Sequence, residues 1–230
     1  MTIEPGQVAR GLWRVTWWLT LASLLGQVAK YFLGHDVGMG LIAAFNLNAE
    51  INIPAWFSSS MLMLTAVLLV LIATDAWHGR RPFAGHWSGL AILFVLLSLD
   101  ETVSIHEQWA VPLRTMFNAT GLFYYPWVIL AIGAFAMLAF VYRKFFRDMP
   151  DTTRHWLLRA TIVYVGGAVG MEMLAGLYVS RIGTEHTFAY VLMTTVEEFM
   201  EMTGIVIFMY GLLGHLGRHA SVIRIGGGGS

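Results

Sequence analysis

The chain has 230 residues, of which 57% are hydrophobic and 12% charged, and its 14 basic and 14 acidic residues cancel. A soluble domain carries about 25% charged residues, so the composition argues against a water-soluble fold, and the balanced charge offers no field for nucleic acid. The absence of cysteine excludes disulfides, thiolate metal ligands and a thiol nucleophile.

A spanning helix needs roughly 20 mostly apolar residues, and six segments qualify: about 13–34, 57–77, 87–107, 123–143, 157–180 and 187–213. They imply an all-α, polytopic bundle of about six transmembrane helices forming a single domain over residues 1–225, with both termini cytoplasmic. The run Gly226–Ser230 reads as an expression linker. Arg14 and Lys30, near the ends of the first segment, can snorkel to the interfaces.

In the outer loop, 35–56, Asn46, Asn48, Glu50 and Asn52 alternate with Phe45, Leu47, Ala49, Ile51 and Ile53. A period of two suggests an extended stretch, polar on one edge, at the mouth of the bundle. Pro54 precedes the second span and Pro126 lies near the start of the fourth, both acceptable helix-entry positions.

The third span carries Asp100, Glu101, Ser104, His106 and Glu107. On one continuous helix Asp100, Ser104 and Glu107 share a face, while Glu101 and His106 flank it, so the four ionisable groups are not expected to meet at one spot. In the fifth span Glu172 follows Gly166, Gly167 and Gly170. The Gly166/Gly170 spacing permits close helix approach, pressing Glu172 into the interior, and the same spacing could serve a homo-oligomer. On the sixth span Thr194, Glu197, Glu198 and Glu201 fall within about one third of the circumference.

With the N-terminus inside, 11 of the 14 basic residues lie on the cytoplasmic side, leaving Lys30, Arg114 and Arg181 outside. The positive-inside rule therefore selects this orientation and an inner-membrane location. The acids divide the other way. Ten of the 14, among them Glu50, Asp100, Glu101, Glu107, Glu172, Glu197, Glu198 and Glu201, belong to the outer half. A carboxylate inside the hydrocarbon costs a few kcal/mol on insertion scales, which protons, cations or hydrogen bonds must offset.

Oxygen and imidazole donors suit iron, manganese or zinc. Glu172, Glu198, Glu201, Glu101 and His106 are the candidate metal ligands. Glu197, Asp100, Glu107, Glu50, Ser104 and Thr194 are candidates for supporting them or relaying protons. In chemistry the set resembles the carboxylate-bridged metal sites of helical bundles, although no Glu-x-x-His pair is present. The string Leu99-Asp100-Glu101 and the His215/His219 pair resemble membrane ceramidase-like hydrolases, which implies zinc, but the topology sets those histidines on the opposite side from Asp100.

A metal-dependent enzyme acting on a lipophilic substrate is the leading expectation. A proton or cation transporter using the same carboxylates is the first alternative, and a non-catalytic subunit of a larger membrane complex the second. Below Glu201 the sixth span reads Ile205, Val206, Ile207 and Phe208, which favours a one-sided site over a conduit.

Overall fold

The computed structural model describes residues 4–34 and 40–219, and within these the chain is all-helical. His35, Asp36 and Gly38 of the outer loop and the Gly226–Ser230 run lie outside the described residues. The order is α1 (Pro5–Leu33), a short α2 (Leu41–Ala44), α3 (Ile53–His78), α4 (Ala84–Val103), α5 (Ile105–Phe117), α6 (Trp127–Asp148), α7 (Asp151–Val165), α8 (Glu172–Ile182) and α9 (Phe188–His219). A π-helical turn, Gly166–Met171, joins α7 to α8.

Among the described residues, five stretches are long and apolar enough to cross a membrane: Ile53–His78, Ala84–Val103, Trp127–Asp148, Asp151–Ile182 and Phe188–Arg218. Helix α1 is not one of them, although its 29 residues would reach about 43 Å at 1.5 Å per residue. Its sequence explains why. The buried stripe of α1 is Thr16, Leu19, Thr20, Ser23 and Gln27, whereas Trp17, Trp18, Leu21, Leu25 and Phe32 face outward. The rings of Trp13 and Trp17 lie 5.9 and 4.9 Å from that of Phe199, fastening α1 to α9. Exposed Leu64, Ile92, Leu130, Phe140 and Ile162 continue the outward apolar surface on other helices, far more than a water-facing monomer leaves uncovered.

The core lies where α3, α4, α7 and α9 meet, around Leu62, Leu69, Phe94, Leu157, Met202 and Leu212. Small residues bring α7 and α9 together. A Cβ on Gly204 would stand 2.7 Å from the Tyr164 Cβ and 2.9 Å from its backbone nitrogen, and one on Gly211 would stand 3.0 Å from the Trp156 Cβ. Close backbone approach of this kind lets dispersion hold helices together where lipid offers no hydrophobic drive.

Four local expectations change. The loop 41–52 is not extended: α2 and a series of turns occupy it, because Asn side chains supply bonds that a strand would take from a neighbour. The Asn52 amide donates to the Asn46 and Ala49 carbonyls at 2.7 and 2.6 Å, and the Leu47 N–H donates to Ser23 Oγ at 3.0 Å. The third span stops at Val103, because Ser104 adopts a left-handed conformation (φ 56°) and α5 leaves in a new direction. The fourth helix starts at Trp127, since a 3-10 turn, Gly121–Phe123, and Pro126 precede it. In the fifth span the close contact belongs to Gly167, where a Cβ would stand 2.9 Å from the Glu197 carbonyl; Gly170 has nothing within 4 Å.

Candidate functional site

The C-terminal end of α4, the start of α8 and the N-terminal half of α9, with α5, α6, α7 and the Glu50 loop, line one cavity of about 790 Å³. Of the eleven candidate residues, ten line it: Glu50, Asp100, Glu101, His106, Glu107, Glu172, Thr194, Glu197, Glu198 and Glu201. The eleventh, Ser104, donates its hydroxyl to Glu50 Oε2. The break at Ser104 is what gathers the residues of the former third span. On a straight helix His106 would flank Asp100. After the turn, its backbone N–H reaches Asp100 Oδ1 at 3.0 Å and its Nδ1 meets Oδ2 at 2.7 Å. All four ionisable groups therefore face one space, contrary to the single-helix expectation.

The Asp100 pair fixes the imidazole, leaving Nε2 as the nitrogen available to a ligand. Burial lowers the His106 pKa, but the bond to Asp100 and the charges of Asp100, Glu107 and Glu172 outweigh it and hold the pKa up to about 9. Burial pushes the Glu50 carboxyl up to about 7, with Glu107 and Glu101 adding repulsion.

Deeper in, the carboxyls are held by hydrogen bonds: Glu101 by buried Ser58, Glu172 by Glu197 and by Trp127 Nε1 at 3.1 Å, and Glu201 by Tyr164. The π-turn carries Glu172 to this position, directly after the tight Gly167 contact with α9. Single π-turns inside helices recur at functional sites. In these positions no group of three or more His, Asp or Glu side chains among the described residues stands close enough to hold a metal ion.

Some participants escaped the sequence reading. Trp127 links the Glu172 carboxyl to the His106 ring, whose centroid is 4.7 Å away. Tyr125 donates to Glu185 Oε1 at 2.7 Å and lies 3.2 Å from the Tyr190 hydroxyl, closing one wall. No spacing rule marks these aromatics; the only signal was their place at helix starts beside the acids.

His215 lies at the opposite end, 3.2 Å from Thr153 Oγ1 and with its ring 5.1 Å from that of Trp87. A zinc site joining it to Asp100, as the hydrolase resemblance implied, is therefore not formed.

Residues 12–216 match the model of one family, described as Domain of unknown function (DUF8692). No curated protein and no solved structure matches the chain.

Proposed function

The chain belongs to the DUF8692 family, and we propose that it is a six-crossing inner-membrane protein whose outer-half cavity holds a divalent cation and acts on a lipophilic substrate. Three observations support the crossing and its direction. Helix α1 packs alongside α9 with its apolar side outward. Contacts of Arg218 with Thr153, of Trp87 with His215 and of Trp87 with Phe145 gather the ends of α4, α6, α7 and α9 into one basic rim. The acids collect at the other end, away from the Lys and Arg residues that the positive-inside rule assigns to the cytoplasm.

The observation that carries the chemical reading is the Asp100–His106 pair beside Glu101, Glu172, Glu198 and Glu201 on a single cavity. A carboxylate that orients an imidazole is the usual support of a metal-bound histidine. Buried carboxyls this numerous must share protons or a cation. Taking up the cation would exchange the Glu172–Glu197 and Glu201–Tyr164 hydrogen bonds for coordination and release protons, including that of His106. Iron, manganese and zinc fit the oxygen and imidazole donors. Bound there, the cation would supply a Lewis acid, while this chain's own residues would orient His106, exclude bulk water and accept protons at Glu197 and Glu107.

The cavity favours a one-sided site over a conduit. Inward of Glu201 its lining is mainly apolar, with Ile205, Phe208, Phe94 and Leu90, and only Thr161, Tyr164, Tyr142 and Arg143 offer polar groups there, with no continuous carboxylate ladder.

Metal analysis by mass spectrometry on detergent-purified protein tests the reading, with wild type beside Glu198→Ala and Glu172→Ala. Near-stoichiometric iron, manganese or zinc is expected in the wild type and its loss in both variants. A folded wild type without metal overturns the reading, and proton or cation flux in liposomes then becomes the measurement of the transport alternative.

A further inference from the structure

We propose that the cavity receives a long-chain amine, an alkyl chain bearing a cationic head, which enters sideways from the bilayer between α4 and α6. The proposal deepens the reading above and rests on its premise that this cavity is the ligand site, without requiring that a metal be present.

The cavity has two chemically distinct ends. Along α4 the lining passes from Asp100 and Glu101 to Leu97, Phe94, Leu93 and Leu90. That run of twelve residues covers about 16 Å parallel to the helix axis. The polar end therefore lies at the level of the outer acids, and an apolar wall runs inward for about half the thickness of the hydrocarbon, with Tyr142 and Arg143 of α6 at its inner end. A compact polar metabolite would leave the apolar portion unfilled, whereas an amphiphile with its head outward matches both portions. The volume of about 790 Å³ lies within the range typical of small-molecule sites.

Helix α6 makes the opening. Its outer end is held by buried Val128 and by Trp127 on Glu172. Its inner end is held where the Tyr142 hydroxyl donates to the His86 carbonyl at 3.0 Å and Phe145 meets the Trp87 ring at 4.8 Å. Gly89 permits this inner contact, since a Cβ there would collide with the Tyr142 hydroxyl. Between Val128 and Tyr142 no residue of α6 is buried, yet Ala131, Ala134, Phe135 and Leu138 line the cavity. The middle of α6 thus stands off from the bundle and presents Ala131 and Ala134, flanked by Phe135 and Leu138, to a space continuous with the lipid side.

Charge selects the head. Nine carboxyl residues line the cavity, and at their end the cationic side chains are His106 and Arg114. Arg114 is already engaged, its guanidinium 4.2 Å from the centre of the Tyr124 ring. An ammonium supplies donors to the carboxyl oxygens and can take the place of the protons they share, whereas a phosphate or sulfate head brings further negative charge and acceptors to a space already crowded with both. Even a bound divalent cation would leave an acidic surplus.

The test uses the full chain in phosphatidylcholine nanodiscs and an alkylamine carrying a diazirine near the end of its chain. After illumination, adducts are mapped by peptide mass spectrometry. Adducts are expected on α4 near Leu90–Phe94 and on α6 near Ala131–Leu138. An unlabelled alkylamine should suppress them at least tenfold, and an alkyl phosphate or alcohol of equal chain length should not. Ala134→Trp places an indole in the opening and should cut labelling at least tenfold with unchanged elution and melting. Ile132→Trp, at an exposed position outside the cavity lining, should leave labelling intact. Labelling spread evenly over outward residues such as Leu25 and Ile162, or equal suppression by phosphate or alcohol, would overturn the proposal. Metal without site-directed labelling sinks this inference alone, and labelling without metal sinks only the metal reading.

Discussion

Gly204→Val is expected to abolish the folded bundle, read as loss of the monodisperse peak on size exclusion or a fall in melting temperature of roughly 10 °C or more. Even the first added carbon would stand 2.7 Å from the Tyr164 Cβ and within 3.0 Å of Tyr164 backbone atoms. Backbone cannot step aside as a flexible side chain can. The cost is therefore at the upper end of overpacking, about 3 kcal/mol or more. Separating α7 from α9 would also undo the Gly167 contact with the Glu197 carbonyl and the bond between Tyr164 and Glu201, so the site fails with the fold. Gly170→Ala is the control. It has nothing within 4 Å of the added carbon and no positive φ, and should melt within about 1 kcal/mol of wild type. Equal melting of the two variants would contradict the assigned packing.

If the cavity holds the proposed cation, Asp100→Ala is expected to weaken its retention by about 10- to 100-fold while leaving the chain folded, measured by competition with a chelator. Asp100 holds both the backbone N–H and Nδ1 of His106 across the break at Ser104. Without it α5 loses its tie to α4 and the imidazole loses its orientation. The side chains of the pair are about 30% exposed, so solvent screens part of the loss and the stability cost should stay near 2 kcal/mol. Asp100→Asn separates the two contributions. Its carboxamide oxygen can still accept from the His106 N–H, so stability should return more fully than metal retention. Were Asn to restore both, Asp100 would be only a structural tie.

Much of the site was legible in the sequence because helix geometry is local. Thr194, Glu197, Glu198 and Glu201 share an arc of one uninterrupted helix, and the structure keeps them on one cavity. The same reasoning failed on the third span because it assumed continuity. A serine in a left-handed conformation carries no signal comparable to glycine, and its Glu50 partner comes from a loop 54 residues away. The π-turn was invisible for a related reason. Gly166, Gly167 and Gly170 announce close packing, but one extra residue in the turn decides which of them does it. In the outer loop the alternation of asparagines imitated a strand, whereas Asn46 and Asn52 spend their side chains closing turns.

The inverted stripe of α1 bears on how the bundle is assembled during synthesis. Thr16, Thr20, Ser23 and Gln27 face inward, and a solitary helix in lipid would leave the Ser23 and Gln27 side chains without the Leu47 N–H and Asn46 partners they have here. Its neighbour α9 emerges from the ribosome more than 150 residues later. On the six-crossing reading, α1 meets the insertion machinery well before the helix that completes its permanent surroundings. Until α9 arrives, its retention depends on a chaperoning protein surface or on the loop that docks onto Ser23 and Gln27. Translation stalled before α9 would leave α1 exposed to membrane quality control, so a late helix decides the fate of one made long before it.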